Sequence, residues 1–269
     1  MYWGGRDRSV TTAAFMVAPV PDPNEFERCS NIDVATLAEH CSNVKGTGGG
    51  SMPRKTLSRE AVVTAAFDLL AEGGLGAITA RALAGKLGVQ PGALYYHVKD
   101  MNTLVDEMAT RIMLDLTGTP ADPGASWDDQ LRTSAIQLRA GLLRYRDGAK
   151  LFAGTHLTDD ESIGSMEQPL TALTAAGFGL REALWAWQSF YNYVIGYVIE
   201  EQERFRPDAT VDERYRPEAR QPRIDVARFP LTHAAGAYFA TDADEQFIFG
   251  VQTLILGLRA QLADNQAST

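Results

Sequence analysis

Gly88 and Pro91 constrain this chain most, because they place a tight turn between two short helical patterns. A glycine just after a helix can adopt the left-handed conformation that ends it, and a proline suits the first turn of the next helix. The apolar residues before the turn recur at spacings of three and four, which predicts one buried helix face. They are Ala80, Leu83, Ala84 and Leu87. Thr79 to Lys99 is therefore predicted to form a helix-turn-helix, with Val89 returning to the core.

The second of these helices presents small, polar and aromatic side chains outward. Amide, hydroxyl and imidazole groups can bond to base edges and phosphates in the major groove, and small apolar groups can contact thymine methyls. Arg81 and Lys99 flank the helix as candidate partners of phosphate or guanine. We therefore expect double-stranded DNA as a partner. The candidate DNA-binding residues are Thr79, Arg81, Gln90, Pro91, Gly92, Ala93, Tyr95, Tyr96, His97 and Lys99.

The net charge of −9 argues against DNA binding only until the charges are divided along the chain. Residues 52–101 carry six Lys and Arg against four acidic residues, whereas residues 102–269 carry 15 against 24. An acidic body is repelled by phosphates, so it helps to set the orientation of a small basic head on DNA. This charge distribution favours specific rather than bulk DNA binding.

Helical patterns continue from Ser58 onward, and no strand pattern competes with them. Ser58 can cap a first helix whose apolar stripe consists of Val62, Ala66, Leu69 and Leu70, and Asp100 can cap a long helix that joins head and body. Ser126, with Asp129 three residues later, resembles a capping box that opens a helix from Trp127 to Tyr145.

These patterns predict an all-α fold with two domains. An N-terminal three-helix helix-turn-helix DNA-binding domain spans 52–100. A larger helical ligand-binding and dimerisation domain spans 101–264. Two of its helices, Leu184 to Glu200 and Glu245 to Leu262, are apolar on more than one side. Such helices must be buried on two sides, which favours a face shared by two subunits of a homodimer over burial inside a monomer.

Two segments lack a sustained helical or strand period. Residues 1–51 contain the run GTGGGS and both cysteines, and we expect a disordered leader there. Either this leader extends the natural protein, or translation starts at Met52. Residues 204–230 contain seven arginines and four prolines, which predicts a mobile loop. A second nucleic-acid contact through these arginines is a less favoured alternative to the mobile loop, because interspersed acids cancel much of the positive field.

The segment TARALAGKLGVQPGALYYHVK (Thr79 to Lys99) resembles the tetracycline-repressor (TetR) family of bacterial transcription factors. LSREAVVTAAFDLLAEGGLGAIT before it resembles the first helix of that family, and KDMNTLVDEMATRIM after it resembles the fourth. RDGAKLFAGT and GYVIEEQE resemble segments of the effector-binding core. The resemblance implies operator binding by a homodimer, whose subunits each give two helices to a four-helix bundle, and release by a small-molecule effector.

The middle of the body combines aromatic and polar side chains, which suits a flat, amphipathic effector. Plain core packing is the alternative for each aromatic residue. The candidate effector-binding residues are Leu138, Phe152, Thr155, His156, Gln168, Trp185, Tyr191, Asn192 and Glu200.

The same resemblance bears on magnesium. Thr155 and Glu200 match positions that contact the drug and its magnesium ion in the tetracycline-binding members. Phe152 stands where those proteins have a metal-coordinating histidine, and Asn192 replaces a drug-contacting histidine. Phenylalanine cannot ligate a hard cation. His156 could replace the missing ligand, but the resemblance favours an effector that needs no metal, such as a polycyclic natural product or a hydrophobic metabolite. We predict neither a metal site nor a cofactor.

Three function classes are compatible with these observations. A ligand-released repressor accounts for the head, the apolar helices and the body together. A DNA-binding dimer that lacks an effector, or that activates transcription, is the second. An enzyme is the third and least supported class. Its best candidate residues are His156 and the acids of THLTDDES, but those acids stand where they would cap a helix. We expect no catalytic residues. We also expect no membrane span and a cytoplasmic location, because the longest uncharged run, Ala183 to Ile199, is short and contains polar residues.

Overall fold

The computed structural model describes residues 57–117, 122, 124–206 and 210–267. Within these residues the chain is helical, and the only strand-like pairing is an isolated bridge between Phe205 and Val211. The predicted all-α fold is confirmed. The predicted leader, 1–51, and the first residues of the predicted DNA-binding domain lie outside the described residues. The helices are α1 (Arg59–Gly73), α2 (Ala80–Leu87), α3 (Pro91–Leu94), α4 (Met101–Thr117), α5 (Trp127–Leu143), α6 (Gly148–Phe152), α7 (Asp160–Gly164), α8 (Glu167–Ala176), α9 (Leu180–Arg204), α10 (Pro217–Arg220), α11 (Pro230–Ala235) and α12 (Ala243–Ala267).

The head consists of α1, α2 and α3 packed around a small apolar core. Ser58 Oγ accepts the Ala61 N–H at 3.1 Å, and Thr79 Oγ1 accepts the Ala82 N–H at 3.2 Å. Both bonds satisfy donors that the first turn of a helix leaves unpaired, so they fix where α1 and α2 begin. The predicted apolar stripe of α1 is buried. The main buried residues of the head are Val62, Val63, Ala66, Leu69, Leu70, Leu83, Ala84, Leu94 and Val98.

Helix α4 belongs to both the head and the body. Asp100 Oδ1 accepts the Thr103 N–H at 2.7 Å and the Thr103 hydroxyl at 2.9 Å, as the predicted cap requires. These hydrogen bonds hold the pKa of Asp100 below its usual value. Leu104 and Met108 are fully buried. The helix packs against α1 of the head and against α5, α6 and α7 of the body, so it joins the two parts as predicted.

A second attachment between head and body lies at the α5–α6 turn, residues Arg144 to Asp147. Arg146 donates from Nη1 to the Glu72 carbonyl at 3.0 Å, and Asp147 Oδ2 accepts the Leu75 N–H at 2.9 Å. Asp147 adopts a left-handed φ of 52°, and Gly74 adopts a φ of 74°. A Cβ at Gly74 would overlap the Asp147 carboxylate, so glycine allows this close approach.

The body packs α5 against α8, α9 and α12 around an apolar core that includes Leu142, Phe190 and Val198. Arg139 of α5 donates two hydrogen bonds to Glu201 of α9, at 2.8 and 2.5 Å, and pairs with Asp244 of α12 at 2.6 Å. Burial lowers the pKa of Arg139, but these carboxylates raise it more, so the guanidinium stays charged. The group joins three helices, with Arg139 and Glu201 largely buried and Asp244 exposed.

Several helix ends differ from the sequence prediction. Helix α5 ends at Leu143 instead of Tyr145, because the α5–α6 turn begins there. The other two predicted helices are longer than expected: α9 runs from Leu180 to Arg204, and α12 reaches Ala267. The prediction relied on apolar residues, whereas charged residues continue both helices past the apolar part. No helix among the described residues is long and apolar enough to cross a membrane.

The described part of residues 204–230 contains short helices and turns, where the sequence predicted a loop. Its arginines are largely engaged within the segment and with the body. Arg220 lies 3.5 Å from the Phe239 ring centroid, Arg204 lies 5.0 Å from the same ring, and Arg214 pairs with Asp212 at 2.9 Å. These contacts neutralise part of the positive charge of the segment, and a second nucleic-acid contact there stays an alternative. Its mobility stays a prediction.

Candidate DNA-binding surface and ligand cavity

The turn between α2 and α3 has the predicted geometry. Gly88 adopts a left-handed φ of 69°, and its N–H donates to the carbonyls at the end of α2. Pro91 is the first residue of α3, and Gln90 is its N-cap. Buried Leu94 and half-buried Val89 hold the turn against the head. The α3 helix is a single turn, so the recognition segment continues beyond it as turns to His97.

The side chains presented by this segment agree with the predicted DNA-facing set. Tyr96 is 89% exposed and Tyr95 is 52% exposed, although large aromatic side chains are usually at least half buried. Neither residue packs in the head, so both are available to a partner. Each of the ten candidate residues is exposed or half-buried, and none belongs to the core. Thr79 also caps α2, so its hydroxyl already accepts one hydrogen bond. DNA contact by each residue stays a prediction.

Ion pairs divide the cations of the head into two groups. Lys86 pairs with Glu72 at 2.8 Å and with Asp68 at 3.4 Å, and the hydrogen bond to Glu72 raises its pKa. Arg59 pairs with Glu107 at 2.6 Å. Arg81 and Lys99 are exposed and form no salt bridge with any residue that the structure describes. They therefore supply the available positive charge beside the recognition segment. A count of charges in the sequence cannot distinguish paired from unpaired cations.

A cavity of about 520 Å³ lies in the body among α4, α5, α8 and α9. Three aromatic side chains of α9 line it, and two of them, Trp187 and Tyr191, stack with ring centroids 5.1 Å apart and planes inclined by 25°. The other main apolar lining residues are Met113, Leu116, Leu131, Ala135, Leu138, Phe190 and Val194. Size and composition match those of small-molecule sites in general.

The polar groups of the cavity are mostly neutral. Burial raises the pKa of Tyr191 to about 12, so its hydroxyl is protonated at neutral pH and can donate a hydrogen bond. Glu167, the first residue of α8, is the one charged side chain among the described lining residues. The uncharged polar lining residues are Ser134, Gln137, Ser165, Gln168 and Thr171. The cavity thus suits a planar apolar molecule with a few hydrogen-bonding groups.

Three of the nine predicted effector-binding residues line this cavity: Leu138, Gln168 and Tyr191. Phe152 lies behind the wall, fully buried, with its ring centroid 6.0 Å from that of Tyr191. Thr155 follows the end of α6, and its hydroxyl donates to the Phe152 carbonyl at 2.8 Å. Neither residue lines the cavity, although Phe152 packs against the lining residue Tyr191.

The other four predicted effector residues lie outside the cavity wall. Trp185, Asn192 and Glu200 lie on the exposed side of α9, and Glu200 pairs with Arg204 at 3.0 Å. His156 is exposed, and its backbone N–H donates to Asp106 Oδ1 at 2.9 Å. The structure therefore does not bring all nine residues together in this cavity, and effector contact by each of them stays a prediction.

Helix geometry shows why Trp187, and not the predicted Trp185, faces the cavity. Residues two apart on a helix point about 200° away from each other, so only one of the two tryptophans can face the cavity. The sequence contained the deciding signal, because the cavity-facing residues of α9 follow the spacing i, i+3, i+4, i+7. They are Trp187, Phe190, Tyr191 and Val194.

The residues at the predicted drug and magnesium positions do not fit a metal site. Phe152 supplies no ligand atom, and Glu200 lies on the exposed side of α9, paired with Arg204. Among the described residues, no three His, Cys, Asp or Glu side chains are grouped as metal ligands.

Asp159 Oδ1 accepts the Ser162 N–H at 2.8 Å, and hydrogen bonds from Ser162 lower the pKa of Asp159. That acid caps α7, as the non-catalytic interpretation of THLTDDES requires.

Comparison with known proteins agrees with this architecture. Residues 62–108 match the family of bacterial regulatory proteins named tetR, and residues 119–262 match the tetracyclin repressor-like C-terminal domain. The chain is 36% identical to the class D tetracycline repressor protein of Escherichia coli over 209 residues, which cover 77% of this chain and 91% of that protein.

Solved structures give the same result. A possible TetR family transcriptional regulator from Streptomyces coelicolor A3(2) matches with a TM-score of 0.67 and 32% identity, covering 76% of this chain and 99% of that one. A TetR variant from Acinetobacter baumannii AYE in complex with minocycline matches with a TM-score of 0.57 and 29% identity, covering 77% and 98%. The chain therefore belongs to the TetR family of transcriptional regulators, with an N-terminal helix-turn-helix DNA-binding domain and a C-terminal ligand-binding domain of the tetracycline-repressor type.

Proposed function

We propose that this chain is a homodimeric repressor that binds a pseudo-palindromic operator and is released by a small planar effector. The observation that carries the proposal is the position of α4. Its first residues follow the recognition segment, Leu104 and Met108 are buried where it joins head and body, and Met113 and Leu116 line the cavity. One helix thus contacts both the part that would bind DNA and the part that would bind the effector.

The exposed sides of α9 and α12 support the dimer. Trp185 of α9 is 56% exposed, and Phe249 and Leu256 of α12 are 76% and 54% exposed. Large apolar side chains exposed on two neighbouring helices favour an interaction site, since extended apolar surface marks such sites in soluble proteins. Two copies joined through these helices would double the base contacts of a recognition segment that is too short for specificity alone.

The effector that fits the cavity is a fused-ring compound that needs no metal. The related Acinetobacter protein was solved with minocycline, a molecule of that shape. Shifting a two-state population from 99:1 to 1:99 needs about 5.5 kcal/mol of differential binding. Burial of about 220 Å² of apolar ring surface in one state only would supply this amount, at about 25 cal/mol per Å².

The test begins with an operator selected from a pool of random DNA duplexes. Fluorescence anisotropy should show one dimer binding a two-fold symmetric site, and planar polycyclic compounds should release it equally in Mg²⁺ and in EDTA. Monomeric protein with no sequence preference would refute operator binding. Specific binding that no compound reverses would support the alternative of a DNA-binding dimer without an effector, and release that vanishes in EDTA would refute metal independence.

A further inference from the structure

We propose that the cavity selects a planar aromatic molecule that carries a cationic amine, with the rings beside Trp187 and Tyr191 and the amine near Glu167. This inference rests on the proposed function and narrows its effector class. It depends on three features of the cavity wall: the sign of its charge, the absence of a competing cation, and its aromatic faces.

Glu167 gives the cavity its charge. It is the first residue of α8, is exposed, and lines the cavity, so its carboxylate lies at the mouth. No salt bridge or side-chain hydrogen bond engages it among the residues that the structure describes. A carboxylate at a helix start can also serve the helix dipole, but that role does not neutralise its charge toward a ligand.

No cation competes for that carboxylate from the described part of the wall. The two arginines of α5 nearest the lining residues are held elsewhere. Arg139 is bound to Glu201 and Asp244, and Arg132 pairs with Asp129 at 2.9 Å and donates to Gln252 at 2.9 Å. The wall thus carries one sign of charge, which concentrates ligands of the opposite sign.

The aromatic side chains strengthen the same preference. Trp187, Phe190 and Tyr191 all line the cavity. The faces of aromatic rings are negative and attract organic cations, with tryptophan the most effective. A fused ring can stack on the indole of Trp187 while its amine approaches Glu167, whereas an anionic ligand would meet a carboxylate and ring faces of the same sign.

Three acridines of nearly equal size test the proposal: 9-aminoacridine, which is protonated at pH 7, neutral acridine, and anionic acridine-9-carboxylate. Calorimetric titration of the full chain without DNA should give the affinity order cation, neutral, anion. We expect about tenfold between neighbours in the series, the scale of one charge-assisted hydrogen bond. Trp187→Leu should weaken binding of all three, because stacking is common to them.

Glu167→Gln should remove most of the preference for the cation, by about fivefold to tenfold, while binding of neutral acridine stays nearly unchanged. Glu218→Gln removes the same charge from an exposed site outside the cavity and should leave the order intact. Equal affinities, a preference for the anion, an order that survives Glu167→Gln, or no binding of 9-aminoacridine at millimolar concentration would each overturn the inference. Operator binding and its release by a neutral polycycle would still stand in those cases, so the two proposals fail separately.

Discussion

Lys99 and Lys86 differ in what they can give to DNA, although both are lysines of the head. Lys99 is exposed without a salt bridge to the described residues, whereas Lys86 is already bonded to Glu72 and Asp68. Lys99→Ala should therefore reduce the slope of log affinity against log salt by about 1 for each phosphate that the protein no longer neutralises, hence about 2 for a dimer. Lys86→Ala should leave the slope unchanged. Anisotropy titrations between low and high salt measure both, and equal slopes for the two variants would show that the ion pairs do not decide which cations meet DNA.

Residue roles could be predicted from the sequence where the interacting groups are neighbours in the chain. The left-handed Gly88 and the caps at Ser58, Asp100 and Ser126 follow from bonds within three or four residues. Roles that depend on distant segments could not be predicted. The bond between Arg139 and Glu201 spans 62 positions, and no local pattern indicates it.

At the scale of elements, the end of α1 meets the α5–α6 turn in a contact that excludes side chains at Gly74. Gly74→Ala should lower the free energy of unfolding by about 1–3 kcal/mol, because alanine is strained at positive φ and its Cβ would overlap the Asp147 carboxylate. Gly76→Ala is the matched control, since a Cβ there meets no atom within 4 Å. Its effect should be near zero or slightly stabilising. Urea unfolding measures the stability of both variants. Equal stability would show that the contact between residue 74 and Asp147 rearranges without a loss in the free energy of unfolding.

The existence of the long helices was predicted better than their first and last residues. Apolar periodicity revealed α1, α2, α4, α5, α9 and α12, because each buries one side against the core. It failed at their ends, since α9 begins at Leu180, whereas the predicted helix began at Leu184. It also missed the short α10 and α11, which are too brief to show a period. Three of the predicted effector residues line the cavity, but the rest of its wall depends on the rotation of α9 about its axis, which the sequence indicates only through the spacing of four residues.

At the scale of the whole molecule, the exposed apolar sides of α9 and α12 predict assembly. Leu256→Glu should convert the dimer to a monomer, because a carboxylate would be buried in an apolar interface. Operator affinity should fall with it, as each monomer reads only one half-site. Ile163→Glu, at an exposed apolar residue of α7 and away from both helices, is the control and should remain dimeric. Sedimentation velocity measures the mass, and a Leu256→Glu protein that stays dimeric would place the interface elsewhere.

The head is fastened to the body twice, covalently through α4 and by hydrogen bonds at the α5–α6 turn. Rotation about the line between these two attachments is the displacement of the head that strains them least. Any other displacement of the head must lengthen the bonds of Arg146 and Asp147 or bend α4. The head should therefore rotate mainly about a single axis. A ligand that shifts α4 would then change the orientation of the recognition segment by rotation about that axis.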